Sequence, residues 1–278
     1  MNTPRDSLES KLADFRTSNP LIDCSRGERW QYRRVGSGPD AVLWLTGALG
    51  SGDLVFRTIP LIGESFAVLI PDYPDVSTLD KVCDGLIAIM DQEKIDRAHV
   101  VGGSLGGMIA QHLVRRRPDR VRSLVLSHTS APESNRLRVS VARAAVATLP
   151  LWAESIVRLM FSSRLRGSFD VGDPFWLTYF DSQVSSQSVG QLMCRVRLAA
   201  EFAAKRDYKS DDLLGWGGRV LVLESDDDPM MPEATRRSLR QLYPQASVHT
   251  FSRTGHSISL TDPERYAMVI RDFLEAAA

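Results

Sequence analysis

An abrupt change from a strand pattern to a helix pattern around residue 104 is the feature that most constrains this chain. The apolar, β-branched run that ends in Val100-Val101 leads into Gly102-Gly103-Ser104-Leu105-Gly106, and helical spacing of apolar residues begins at once. The glycines allow a tight reversal of the backbone and a close approach of helix to strand. Gly-x-Ser-x-Gly at such a turn is typical of a nucleophile elbow, which exposes a serine hydroxyl. Ser104 is therefore a candidate nucleophile.

Predicted strands alternate with predicted helices along most of the chain. Runs that are apolar on both faces indicate buried strands, and polar–apolar alternation indicates a half-exposed one. The predicted strands cover residues 28–35, 41–45, 66–70, 98–102, 123–127, 219–224 and 247–251. Helical spacing is found in residues 55–62, 78–93, 105–117, 233–242 and 263–276. The alternation predicts an α/β fold whose mostly parallel sheet is covered on both faces by helices.

One interruption of this rhythm divides the chain into three predicted parts. Residues 1–27 are expected to form a loosely attached N-terminal arm. Residues 28–130 and 213–278 form the predicted α/β core. Residues 131–212 lack a strand pattern, have helical segments and are rich in aromatic residues, which is typical of a cap over an active site. We expect most of these aromatic side chains to pack the cap onto the core and a minority to line the pocket.

Two residues near the end of the chain supply the partners that a serine nucleophile needs. A serine hydroxyl near neutral pH requires a histidine to take its proton and a carboxylate to orient that histidine. Asp228 follows the predicted strand 219–224, and His256 follows the strand 247–251. The carboxyl ends of parallel strands meet at one edge of the sheet, where ligands bind. The order serine, aspartate, histidine is also the order expected after such an elbow.

Neighbouring residues leave alternatives for both partners. Asp226 and Asp227 adjoin Asp228, which is favoured because the Asp-Pro-x-x-Pro pattern fixes the turn after it. The other two carboxylates are expected to cap turns or face solvent. His128 ends a strand near the same edge of the sheet and is the alternative to His256 as the base.

The oxyanion of an acyl-transfer intermediate needs backbone N–H donors. Leu105, directly after Ser104 at the start of a helix, is expected to give one. Ala48 is expected to give the other, from the glycine-rich loop 46–52 after an earlier strand. The alternative for that loop is an ordinary turn between a strand and a helix.

Composition excludes several other classes of protein. The chain has 34 basic and 34 acidic residues, so no overall field favours nucleic acid or an anionic membrane. No signal-like segment and no apolar run long enough to span a bilayer is present in the sequence, and we expect a soluble cytoplasmic protein. Cys24, Cys83 and Cys194 are widely spaced and fit neither a disulfide framework nor a metal site. No metal, cofactor or nucleic-acid partner is expected, and the sequence leaves the oligomeric state open.

The motifs together resemble the α/β-hydrolase superfamily from about residue 28 to the end. The resemblance rests on Gly102-Gly103-Ser104-Leu105-Gly106-Gly107, Arg116-Arg117-Pro118-Asp119-Arg120-Val121, Asp228-Pro229-Met230-Met231-Pro232 and Gly255-His256. It implies an eight-stranded, mostly parallel sheet with a helical cap after the sixth strand, and a cofactor-free serine hydrolase. It also implies Ser104, Asp228 and His256 as the catalytic triad.

The loop after residue 45 departs from the pattern of many superfamily members. They begin this loop with His-Gly, where this chain has Thr46-Gly47. Residues 45–52, with Cys83-Asp84-Gly85 and the elbow, look like the maspardin branch, which has been regarded as containing binding proteins rather than efficient enzymes. The change leaves the backbone donor in place but bears on how the loop is held.

Three functions follow from these observations. The favoured one is hydrolysis of an ester or related acyl bond of a small molecule through an acyl-enzyme, as in carboxylesterases. The second is hydrolysis of a carbon–carbon bond with the same triad. The third is non-catalytic binding on the same fold, as in the maspardin branch.

Overall fold

The structure is a computed structural model that describes residues 7–25, 29–132 and 173–277. Its centre is an eight-stranded sheet of order β1-β2-β4-β3-β5-β6-β7-β8. The strands are β1 Ile22–Asp23, β2 Gln31–Val35, β3 Asp40–Leu45, β4 Phe66–Asp72, β5 Ala98–Gly103, β6 Val121–Ser127, β7 Val220–Ser225 and β8 Ser247–Phe251. β2 pairs antiparallel with both β1 and β4, and all other neighbours pair parallel. The predicted mostly parallel sheet is confirmed.

Helices cover both faces of this sheet, as its buried strands require. They are α1 Leu8–Ser18, α2 Ile59–Gly63, α3 Leu79–Gln92, α4 Leu105–Arg116, α5 Pro174–Ser186, α6 Val189–Ala203, α7 Glu233–Leu242, α8 Ile258–Thr261 and α9 Pro263–Ala276. The buried side chains fall into two hydrophobic clusters. Val100 of β5 belongs to one cluster and Val101 to the other, as alternation along a strand between two helical layers dictates.

The first helix differs from the loosely attached arm expected from the sequence. Leu12 and Phe15 of α1 are buried in one of the two clusters. Arg16 of α1 and Arg33 of β2 both form ion pairs with the buried carboxylate of Asp53. The weak amphipathic pattern of the helix hid these contacts, because only two of its apolar residues are buried.

Two further elements differ from the predictions. The two-residue β1 is too short to show a period in the sequence. The predicted helix 55–62 is divided into a 3-10 turn, Gly52–Val55, and α2. Pro60 stands in the first turn of α2, where a proline favours the start of a helix and disfavours its continuation from the preceding residues.

Helices α5 and α6 lie between β6 and β7 in the chain, where the cap is predicted. Trp176, Tyr179 and Phe180 of α5 are buried in the core cluster, and Trp176 packs against Phe56 with ring centroids 5.9 Å apart. These three aromatic residues pack the segment onto the core. Trp152, Phe161 and Phe169 lie outside the described residues. Among the helices that the structure describes, none is both long and apolar enough to cross a membrane.

Candidate active site

Ser104 stands on the sharp turn between β5 and α4. Its backbone has φ 51° and ψ −117°, a conformation that costs a non-glycine residue strain. The Ser104 N–H donates to Ser127 O of β6 at 2.9 Å, which fixes the turn to the neighbouring strand. A Cβ at Gly106 would overlap the carbonyl oxygen of Leu45 in β3, so glycine is required where α4 crosses β3. This is the geometry of an elbow that presents a serine hydroxyl at the carboxyl edge of the sheet.

Asp228 and His256 are paired at the same edge. Asp228 Oδ2 lies 2.7 Å from His256 Nδ1, and the two residues are only 3% and 8% exposed. Asp228 Oδ1 accepts the N–H groups of Met230 and Met231 at 2.8 and 3.1 Å. Burial acts to raise the pKa of Asp228, but the hydrogen bond and charge of His256 outweigh it and hold the pKa below its usual value. The carboxylate is thus ionised and orients the imidazole.

The other two aspartates of the loop shape the segment that carries His256. Asp226 accepts the Arg253 N–H at 2.8 Å and the Ser252 hydroxyl at 2.9 Å. Asp227 Oδ1 accepts the N–H groups of Thr254 and Gly255 at 3.1 and 2.9 Å. The three adjacent carboxylates therefore have different partners. Asp226 and Asp227 hold the loop that carries His256, and Asp228 contacts His256 itself.

Tyr73 holds the loop that contains Ala48. Its hydroxyl donates to Thr46 O at 2.9 Å, and its backbone N–H donates to Gly50 O at 3.0 Å. The Gly50 N–H in turn donates to Gly47 O at 2.9 Å. The loop is thus fixed at both ends by one buried tyrosine that follows β4. The Tyr73 hydroxyl thus holds the loop that begins with Thr46-Gly47. The sequence did not predict this contact, because residues 46 and 73 are far apart in the chain.

Two residues, one directly after α5 and one within α6, add further contacts around the same loop. Gln187 Nε2 donates to Leu49 O at 2.9 Å. Arg195 of α6 donates to the carbonyl oxygens of Tyr73 and Pro74 and places its guanidinium over the Tyr73 ring. The segment between β6 and β7 therefore contacts the loop of Ala48 directly.

Ser104, His256 and Ala48 line one cavity of about 110 Å³. Its other walls include Trp44, Leu49, Leu54, Val55, His128, Met230 and Tyr266. Leu49 also lines a polar cavity of about 500 Å³ on the other side of the loop. The predicted site residues on three different loops are thus brought together, and Leu105 follows Ser104 at the start of α4.

His128 also lines this cavity, but both of its ring nitrogens have hydroxyl partners. Nδ1 lies 2.8 Å from Ser127 Oγ, and Nε2 lies 2.8 Å from Ser225 Oγ. Burial, and then the nearby His256, lower the pKa of His128 to about 3. These contacts argue against His128 as the alternative base, because a base needs a nitrogen that faces the nucleophile.

No group of three or more His, Cys, Asp or Glu side chains within residues 7–25, 29–132 and 173–277 is placed to hold a metal ion.

An eight-stranded sheet with an elbow after its fifth strand and helices inserted after its sixth defines the α/β-hydrolase class of folds. The family model of the alpha/beta hydrolase fold matches residues 40–263, and the chain belongs to this family.

Similar proteins differ in what their names say they act on. The 2-hydroxymuconate semialdehyde hydrolase of Pseudomonas sp. (strain CF600) is 25% identical over 99% of this chain and 96% of its own length. Human maspardin is 25% identical over 84% of this chain and 76% of its own. The structure of a thermophilic esterase from Thermogutta terrifontis superposes with a TM-score of 0.76 at 19% identity, covering 93% of this chain and 98% of that one. The solved esterase structure shares the fold, and the maspardin likeness seen in the sequence is confirmed.

Proposed function

We propose that the protein is a serine hydrolase that cleaves an ester or related acyl bond of a small molecule through an acyl-enzyme. Ser104 attacks the acyl carbon, His256 Nε2 takes the serine proton, and Asp228 holds the imidazole through Nδ1. The backbone N–H groups of Ala48 and Leu105 bind the oxyanion. The leaving alcohol takes the proton from His256, and water then releases the acyl group by the same route.

The observation that carries the proposal is that His256, paired with the buried Asp228, lines one cavity with a strained Ser104. A strained serine and a buried carboxylate each cost free energy, and such costs concentrate where chemistry needs them. The helices after β6 contact the oxyanion loop, which supports residues 131–212 as a cap that closes the site.

A second candidate is hydrolysis of a carbon–carbon bond. Its support is the relative named 2-hydroxymuconate semialdehyde hydrolase, which matches nearly end to end. The substrate in that name carries no ester or amide bond, so its hydrolysis breaks a carbon–carbon bond. The same serine, histidine and aspartate could serve both reactions in this chain.

The third candidate, non-catalytic binding, has the maspardin likeness as its support. The chemistry of the site disfavours it. A binding surface gains nothing from a desolvated carboxylate that orients an imidazole beside a strained serine.

Fluorophosphonate labelling together with turnover of short and medium p-nitrophenyl esters tests the proposal. Wild-type protein should label and turn over ester. Ser104→Ala should not label, and its turnover should fall at least about 10³-fold. The control is Ser238→Ala on α7, whose serine only donates to Ala234 O on an exposed helix surface.

Normal labelling of Ser104→Ala would contradict the nucleophile assignment. A folded wild type that neither labels nor turns over any ester would favour the binding candidate. A wild type that labels, leaves esters intact and consumes a vinylogous β-diketone acid, with loss of that reaction in Ser104→Ala, would favour carbon–carbon hydrolysis.

A further inference from the structure

The backbone and the ring of His128 are both restrained by contacts with neighbouring strands. It has a left-handed backbone, with φ 47°, at the end of β6. Its backbone N–H donates to Leu223 O at 2.8 Å, and its ring stacks on Phe251 with the planes 14° apart. A left-handed histidine costs strain that the surrounding structure must offset. The position of this ring is therefore fixed by contacts with several strands.

The His256 ring packs against that ring. The two imidazole centroids are 5.7 Å apart, and their planes are at 85°. Asp228 holds Nδ1 of His256. His256 is thus contacted by a carboxylate at one nitrogen and by the His128 ring, which together limit rotation of the imidazole.

A chain of hydroxyl groups runs through His128. The Tyr266 hydroxyl donates to Ser127 Oγ at 2.8 Å, and Ser225 Oγ lies 2.6 Å from Thr254 Oγ1. With Tyr266 as the first donor, the Ser127 proton can pass to Nδ1, and Nε2–H can donate to Ser225. In this order each O–H and N–H from Tyr266 to Ser225 has one acceptor. A second proton on the ring would force one hydroxyl to reverse or lose its acceptor.

We propose that His128 is a positioning residue for His256, kept neutral by Ser127 and Ser225, and that its ring holds the catalytic imidazole in place without adding charge. This inference rests on the proposed serine chemistry. The proton that His256 takes from Ser104 creates an imidazolium, and a second positive ring at 5.7 Å would oppose it. The titratable groups around His128 are His256, Asp228 and Tyr266.

Three variants distinguish the effect of the His128 ring from the effect of its charge. His128→Ala removes the ring, and kcat for the p-nitrophenyl ester should fall about tenfold with KM little changed. His128→Phe keeps a ring against His256 and should keep kcat within about threefold of wild type. His249→Gln is the control, because His249 also packs on Phe251, at 4.5 Å, but does not line the cavity.

Removing one of the two hydroxyl partners of the His128 ring tests whether the ring must stay neutral. In Ser127→Ala the hydroxyl that donates to Nδ1 is lost, and His128 should gain a proton at higher pH than in wild type. The acid limb of the kcat/KM profile should then move to higher pH. The double variant Ser127→Ala/His128→Phe should return it to the wild-type position, because phenylalanine cannot take a proton. A merely structural role would not produce this reversal.

Several results would overturn the inference. A folded His128→Ala with wild-type kcat would remove the positioning role. An unmoved acid limb in Ser127→Ala, or one that the double variant fails to restore, would remove the neutral-form role. If His128→Ala does not fold, His128→Phe and the two Ser127 variants still decide. Wild-type labelling by fluorophosphonate separates these failures from failure of the proposed function, because labelling tests Ser104 and does not depend on His128.

Discussion

At the scale of single residues, the three consecutive aspartates have the same side chain but different hydrogen-bond partners. Asp228 accepts a hydrogen bond from the His256 ring, whereas Asp227 accepts only backbone N–H groups of the same loop. An amide oxygen can replace a carboxylate that accepts backbone N–H groups. It cannot replace one that selects the histidine tautomer, because the amide NH₂ favours the wrong tautomer.

Asp228→Asn and Asp227→Asn therefore form a matched pair. We expect Asp228→Asn to lower kcat by about 10³- to 10⁴-fold with the fold intact. Asp227→Asn should stay within about threefold of wild type. Steady-state ester hydrolysis and circular dichroism of both variants check this. Equal losses in the two would contradict the assignment of the acid.

The hydroxyl of Tyr73 is the residue-scale feature that holds the loop of Ala48. Tyr73→Phe leaves the Thr46 carbonyl without its donor in a buried place. We expect kcat to fall about tenfold with KM nearly unchanged, because Ala48 N–H is then less well placed for an oxyanion that exists only at the transition state.

Tyr32→Phe is the control for Tyr73→Phe. The Tyr32 hydroxyl is also buried and bonded, to Glu93 and Gln92, but on β2, whose residues do not line the catalytic cavity. This change should lower stability by about 1 kcal/mol and leave kcat unaltered. A similar fall of kcat in both variants would mean that general loosening, and not the loop, causes it.

At the scale of elements, the elbow depends on how closely α4 crosses the sheet. A Cβ at Gly106 would overlap Leu45 O, whereas a Cβ at Gly103 would meet no atom within 4 Å. Gly106→Ala should therefore lower the free energy of unfolding by about 3 kcal/mol or more, and Gly103→Ala by about 1 kcal/mol or less. Urea denaturation of both variants measures this. Comparable stabilities would show that α4 can move away from β3 at little cost.

The elements themselves were largely predictable, and the contacts between them were not. Helices Glu233–Leu242 and Pro263–Ala276 begin and end where their apolar spacing predicts, because a single amphipathic face determines them. Ser104, Asp228 and His256 could be predicted as candidate site residues because motif and chain order restrict them. The Tyr73–Thr46 bond and the serine clamp on His128 were not predicted, because each joins residues whose proximity depends on the strand order of the sheet.

At the scale of the whole molecule, several histidines are buried in a form that acid disfavours. Burial is the main cause that lowers the pKa of His99 to about 4, with a smaller effect from Arg122. Burial also lowers the pKa values of His112 and His128. An unfolded histidine titrates near pH 6.5, so the unfolded chain binds these protons first as the pH falls. The stability that these groups contribute is complete above about pH 6.5 and is lost toward the folded pKa.

His99 offers the clearest test of this acid sensitivity. It lies within β5, with Nδ1 2.7 Å from Ser123 Oγ, far from any role proposed for catalysis. Between pH 7 and pH 5 the burial of neutral His99 should lower the free energy of unfolding by about 2 kcal/mol. Over this range the unfolded chain binds a proton that the folded chain does not bind. His99→Gln removes that term, so the fall in the free energy of unfolding over this range should become smaller by about the same amount. Urea denaturation of both proteins at pH 7, 6 and 5 gives the slopes, which do not depend on any constant change in stability caused by the substitution. Parallel slopes would mean that His99 takes up its proton without loss of the fold.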